Sequence, residues 1–415
     1  MPESRNPQRS WRAALSYPDF TLYQSARLLI GFSQAMQSVA VGWQVYEITK
    51  RPLDLGLVGL AQFLPGILLF LVSGHVADRF DRRRLYAFCC AGFAVCSSLL
   101  LLLIYRGNHS VYPIYLVLIL LGVVRSFSWP LGQALLPQLI PEEHFPNAVA
   151  LGATVTQTAM ILGPAIGGVI YAFSRGPSAV YGTAAAASLG GMLATLRIRS
   201  RAKPRPPEQM SLTTVLAGLR YIWTQRLILG TISLDLFAVL LGGAVALLPV
   251  YAREILSTGP WGLGLLRSAP GVGAAAMAFL MAHRPLRGRA GATMLWCVAG
   301  FGLFTVLFGI SRSFPLSLLA LLLVGATDMV SLIIRSTMVQ LATRDEMRGR
   351  VGAVNMLFIG ASNELGEFES GLTAAWFGTV PAVVLGGLGT LFVAAIWAWR
   401  FPEIRHSDQF SGPQS

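Results

Sequence analysis

Twelve apolar blocks, each long enough to cross a bilayer, alternate with short polar segments along this chain. They cover residues 20–46, 55–77, 85–105, 112–136, 146–173, 178–197, 227–252, 261–283, 291–310, 315–341, 350–377 and 380–400. A helical crossing needs about 20 apolar residues. Isolated strands in lipid would leave backbone polar groups unsatisfied. The blocks therefore predict an all-α integral membrane protein with 12 transmembrane helices. Composition agrees: of 415 residues, 54% are hydrophobic and 12% charged, with a mean hydropathy of +0.60. Soluble proteins carry about 25% charged residues.

The basic residues set the orientation. With the N-terminus inside, 22 of the 32 Lys and Arg fall in cytoplasmic segments. Six fall outside (Lys50, Arg51, Arg106, Arg175, Arg253 and Arg312), and Arg27, Arg125, Arg267 and Arg335 fall within blocks. This positive-inside bias predicts both termini in the cytoplasm. The net charge of +13 thus reads as topology. No basic patch interleaved with aromatics points to nucleic acid. Cys89, Cys90, Cys96 and Cys297 lie inside apolar blocks without metal-ligand spacing, so packing roles are expected and no metal or cofactor. Residues 1–17 have no short apolar core before a cleavage site and read as a basic lead-in.

The chain divides near its middle. Residues 197–209 are polar, with Arg199, Arg201, Lys203, Arg205 and three prolines. Residues 211–225 then predict a short interfacial helix carrying Leu212, Leu216, Leu219 and Ile222. The expected organisation is a six-helix bundle over 1–197, a basic linker over 198–226, a second bundle over 227–402 and a tail over 403–415. The linker either fixes topology alone or also contacts anionic lipid. The halves echo each other: Gln138-Leu139 with Gln340-Leu341, Val149 with Val351, and Leu55-Gly56-Leu57 with Leu263-Gly264-Leu265. These matches favour a 6+6 pseudo-symmetric transporter.

The segment after the second block reads Gly74-His75-Val76-Ala77-Asp78-Arg79-Phe80-Asp81-Arg82-Arg83-Arg84. It resembles the G-x-L-A-D-R-x-G-R-R signature of the major facilitator superfamily, with Asp81 in place of the second glycine. The fifth block carries Gly163-Pro164-Ala165-Ile166-Gly167-Gly168. This is similar to the G-P-x-x-G-G core of the superfamily's antiporters, although it also suits a packing kink. Ala217-Gly218-Leu219-Arg220-Tyr221 and Arg348-Gly349-Arg350 extend the resemblance to the enterobactin-exporter-like branch. The resemblance implies a major facilitator fold and a bacterial inner-membrane exporter. It implies a gating role for Gly74, Asp78, Arg79, Arg82 and Arg83, with Gly74 allowing close approach of a helix. It implies an export-type fifth helix through Gly163, Pro164, Gly167 and Gly168.

Charges inside the membrane cost about 2.5–3.5 kcal/mol at the centre, so those present mark a cavity or a partner. The acidic candidates are Asp235, Asp328, Glu364, Glu367 and Glu369. Asn363, Glu364 and Glu367 share a helical arc of about 100°. Glu364 lies about 21 Å of rise beyond Arg350, near the midplane. Glu364 and Glu367 are expected to face the cavity, and Glu369 a neighbouring helix or the outer mouth. They suit proton coupling, permanent pairing with Arg125 or Arg27, or direct binding of a cationic substrate. Arg27, Gln34, Gln37, Ser38 and Gln44 share an arc of about 120° in the first block, suiting either a wet cavity or helix–helix hydrogen bonds. Arg125 lacks the R-x-x-Q-G context of proton-linked relatives. Asp328 and Arg335 share a face, and each has room for a partner on another helix.

No phosphate-cradling G-x-x-x-x-G-K-[ST] loop and no nucleophile–base constellation is present, so neither a pump nor an enzyme is expected. The expectation is a monomeric secondary transporter that exports an amphipathic siderophore-like or drug-like small molecule against inward proton flow. Its partners would be substrate, protons and membrane lipids. A lysophospholipid flippase or a metal-ion exporter on the same fold is the alternative.

Overall fold

A computed structural model of the chain describes residues 14–199, 212–284 and 288–405. Twelve long helices appear among the described residues, together with one shorter amphipathic helix. They are α1 Pro18–Thr49, α2 Pro52–Arg79, α3 Arg82–Tyr105, α4 Tyr112–Leu135, α5 Phe145–Ser174, α6 Ser178–Leu196, α7 Leu212–Thr224, α8 Arg226–Leu241, α9 Gly259–His283, α10 Ala290–Ile310, α11 Phe314–Ala342, α12 Arg348–Phe377 and α13 Thr379–Arg400. Among the described residues, ten spans are long and apolar enough to cross a membrane. α1 and α12 are longer than most, at 32 and 30 residues, but their Gln, Arg and Glu side chains keep them outside that group.

The chain forms two compact units. The N-terminal unit runs to Gln44 and resumes at Ala61; the C-terminal unit holds Val45–Leu60 and everything from α7 onward. Inside the N-terminal unit, α3 packs on α4 and α6, and α5 packs on α6. Inside the C-terminal unit, α10 packs on α11 and α13, and α12 packs on α13. The same pairing scheme is thus built twice. α7 packs on α12, with Ile222 in one apolar cluster with Ile228, Val351 and Val354. The helix expected within the linker therefore belongs to the C-terminal unit.

Small residues set the closest approaches. A Cβ on Gly163 of α5 would stand 2.5 Å from the Ala35 Cβ of α1, and one on Gly167 would stand 2.8 Å from the Met36 Cα. The seventh apolar block is not one regular helix. α8 stops at Leu241, and the chain continues through a 3-10 turn, Ala244–Leu247, and a π-helical turn, Tyr251–Ile255. The break falls at Gly242-Gly243, where the Gly243 backbone lies against Gly366 of α12 and leaves no room for a side chain. Pro249 follows within the irregular stretch. A Gly pair pressed against a neighbouring helix is a standard cause of such a kink. Large apolar side chains such as Phe88, Leu116, Phe173, Trp296 and Trp399 are exposed, a surface that suits lipid rather than water.

Candidate functional site

The start of α3 explains the residue that departs from the motif. Asp81 is the N-cap of α3, and its Oδ1 accepts the backbone N–H groups of Arg83 at 3.0 Å and Arg84 at 3.2 Å. A carboxylate there satisfies donors that the first helical turn leaves free. The Arg82 guanidinium donates to the Ala134 carbonyl at 3.3 Å, and that of Arg83 donates to the Ile198 carbonyl. Two arginines of the run thus tie α3 to the ends of α4 and α6. Among the described residues, a Cβ added to Gly74 would meet no heavy atom within 4 Å. The side chains of Asp78 and Arg79 lie outside the described residues.

In the N-terminal unit, much of the polar face of α1 is taken up by helix–helix hydrogen bonds. Ser97 of α3 donates to Gln37 at 2.6 Å, and the Tyr181 hydroxyl of α6 donates to Gln44 at 2.6 Å. Ser33 donates to the Ala184 carbonyl at 2.9 Å and stands 2.8 Å from Ser188. Arg27 donates to Thr156 of α5 at 2.9 Å and lies over the Tyr23 ring. Gly152 makes room for it, since a Cβ there would stand 2.6 Å from the Arg27 Nη1. Gln34 is half-buried and Arg125 exposed. Pro164, Gly163, Gly167 and Gly168 are buried in α5.

The C-terminal unit gathers the acidic residues. Asp235 of α8 is ion-paired with Arg335 of α11. Asp328, two turns before Arg335, is half-buried and makes no hydrogen bond or ion pair among the described residues. Glu369 of α12 accepts the Thr373 hydroxyl of its own helix at 2.6 Å. Glu364 and Glu367 both point at Gly59 of α2. A Cβ there would lie 3.0 Å from the Glu367 Oε2 and 3.5 Å from the Glu364 Oε2. Arg267 of α9 lies within electrostatic reach of Glu367. Asn363 is exposed one residue before Glu364. Two carboxylates and one guanidinium from α9 and α12 thus meet beside a glycine that keeps α2 close. Such a cluster can exchange a proton, or a charged guest, for an internal ion pair.

Beside this cluster, residues 45–60 are fastened at several points. The Tyr46 hydroxyl donates to Glu254, and Glu47 pairs with Arg253 at 3.3 Å. A Cβ on Gly371 of α12 would come within 2.9 Å of the Gly56 backbone. Sequence reasoning names Arg267 only as an intramembrane charge and passes over Gly59. The available signal was Gly56 and Gly59 spaced three apart, the mark of one small-residue helix face.

The sequence profile of the family described as transmembrane secretion effector matches residues 10–413. The enterobactin exporter EntS of Escherichia coli (strain K12) is 27% identical over 414 residues, covering 97% of each chain. The EntS protein of Shigella boydii serotype 4 is similar to the same extent. Among solved structures, a variant of the nucleoside transporter NupG aligns with a TM-score of 0.74 at 12% identity, covering 92% of this chain and 100% of that one. A bacterial homologue of the human lysosomal transporter Spinster aligns with a TM-score of 0.74 at 13% identity, covering 97% and 100%. At that identity the structural likeness speaks for the fold.

Proposed function

Because the chain belongs to the transmembrane secretion effector family of major facilitator transporters, as a multi-pass protein of a bacterial inner membrane and not an enzyme, we propose that it exports an amphipathic small molecule of siderophore type, driven by inward proton flow through alternating access. The observation that carries this reading is the Glu364–Glu367–Arg267 cluster at Gly59. The substrate class rests on the enterobactin exporters that match along 97% of their length.

The chemistry is an exchange. Arg267 balances Glu367 when the site is empty. A hydroxyl or cationic group on the substrate that engages the ionised carboxylates of Glu364 and Glu367 holds them deprotonated, and a proton that neutralises them releases it, since an uncompensated charge at that depth is costly. Proton and substrate are coupled because they compete for the same carboxylates, the exclusion that exchange against inward proton flow requires. One charge crossing 100 mV supplies about 2.3 kcal/mol, which sustains roughly a 40-fold gradient. All 12 long helices cross the membrane in this reading, with both termini cytoplasmic. α1 and α12 rise about 48 and 45 Å, more than the about 30 Å hydrocarbon core requires.

The test is purified protein in liposomes with an imposed pH gradient, an internal pH dye and a panel of catechol siderophores and lipophilic cations. Substrate-dependent proton movement is expected in wild type and lost in a folded Glu367→Gln variant. Undiminished proton-driven transport by Glu367→Gln would refute the assignment, and substrate flux without proton movement would refute coupling.

A further inference from the structure

A cavity of about 1030 Å³ opens in the N-terminal unit, far along the chain from the acidic cluster. Its wall combines Asp19 and Leu22 from the first turns of α1, Arg83 from the first turn of α3, and Leu196, Arg197 and Arg199 from the end of α6. Three arginines and one aspartate line it. That carboxylate is engaged: Asp19 Oδ1 accepts the backbone N–H of Arg199 at 3.0 Å. Arg83 is oriented by its bond to the Ile198 carbonyl, which uses one of the five donors on its planar fork. Arg197 and Arg199 are exposed. The cavity therefore has a surplus of guanidinium donors suited to a phosphate.

An apolar track leads out of it. Leu189, Leu193 and Leu196 recur at the helical spacing that places side chains on one face of α6. Their exposures are 46%, 53% and 48%, and the last of them lines the cavity. A cationic pocket continued by an exposed leucine ridge matches a molecule with a phosphate at one end and a hydrocarbon chain at the other. Free phosphate shares the first half of that chemistry and would leave the ridge unused. The cavity also lies among the ends of α1, α3 and α6, the depth at which headgroups sit.

We propose that this cavity binds the phosphodiester headgroup of an anionic phospholipid, with an acyl chain lying along Leu189, Leu193 and Leu196. Basic pockets between helices at a membrane surface hold anionic lipids in this way. The proposal is independent of the transported substrate and of the coupling residue.

The experiment is native mass spectrometry of the full chain in nonionic detergent, titrated separately with phosphatidylglycerol, phosphatidylcholine and glycerol phosphate. Phosphatidylglycerol is expected to bind in preference to both others. The double variant Arg197→Gln/Arg199→Gln is expected to weaken that binding about 30-fold. Leu193→Gln, on the exposed ridge, is expected to weaken phosphatidylglycerol binding while leaving any glycerol phosphate binding unchanged; it serves as the deciding variant if the double variant does not fold. Equal phosphatidylglycerol affinity in wild type and variant would overturn the proposal. Equal affinity for phosphatidylcholine would overturn the proposal, and glycerol phosphate binding as tightly as phosphatidylglycerol would overturn it by assigning the cavity to a free phosphate instead.

Discussion

The ion pair between Asp235 and Arg335 is expected to be a structural link between α8 and α11, and its removal separates that role from proton coupling. The Arg335 side chain is 3% exposed and that of Asp235 11%. Replacing Arg335 with Met leaves a carboxylate buried without its counter-charge, and replacing Asp235 with Leu strands a guanidinium. Breaking a buried pair from one side costs about 3–5 kcal/mol, whereas replacing both partners with apolar groups is often neutral or stabilising. If the two sites acted independently, the double variant would lose about 6–10 kcal/mol. If they form one link, Asp235→Leu/Arg335→Met lies close to wild type. The assay is denaturant unfolding of the purified protein in detergent, closed as a double-variant cycle, followed by liposome transport. Additive losses would refute the pairing. A stable double variant that has lost proton-driven transport would refute its purely structural role.

Three further outcomes follow from the same geometry. Gly59→Ala places a methyl group 3.0 Å from the Glu367 Oε2 and 3.3 Å from its Cβ; the carboxylate must shift, and liposome turnover is expected to fall several-fold with a stability loss of at most about 1–3 kcal/mol. Unchanged turnover would count against the cluster as the transport site. Gly167→Leu drives a side chain into the Met36 backbone of α1 and is expected to cost about 1–3 kcal/mol or more, read as a lower melting temperature in detergent. Asp81→Ala removes the α3 cap at a cost of about 1 kcal/mol, while Asp81→Gly costs only about a few tenths; unchanged stability in Asp81→Ala would show that the cap bonds contribute nothing.

Apolar block length, the positive-inside count and the Gly74 to Arg84 motif already announced a helical membrane protein of major facilitator type in the bare sequence. These signals are legible because lipid imposes length and charge rules on each segment separately, whatever its neighbours do. The same locality explains why residues 211–225 could be read as a short helix. Partnerships were not legible. On α1, Gln37 and Gln44 sit at cavity-like spacing, yet Ser97 and Tyr181 engage them in helix–helix hydrogen bonds. Asp235 and Arg335 are 100 positions apart in sequence and become one ion pair only when α8 and α11 meet. Gly59 carries no functional group at all, and it matters because α12 brings Glu364 and Glu367 to it. Periodicity states which side of a helix a residue occupies. What stands opposite is decided by packing between helices distant in sequence, and for a buried charge that opposite group determines whether it is a structural link or a site free to exchange its partner.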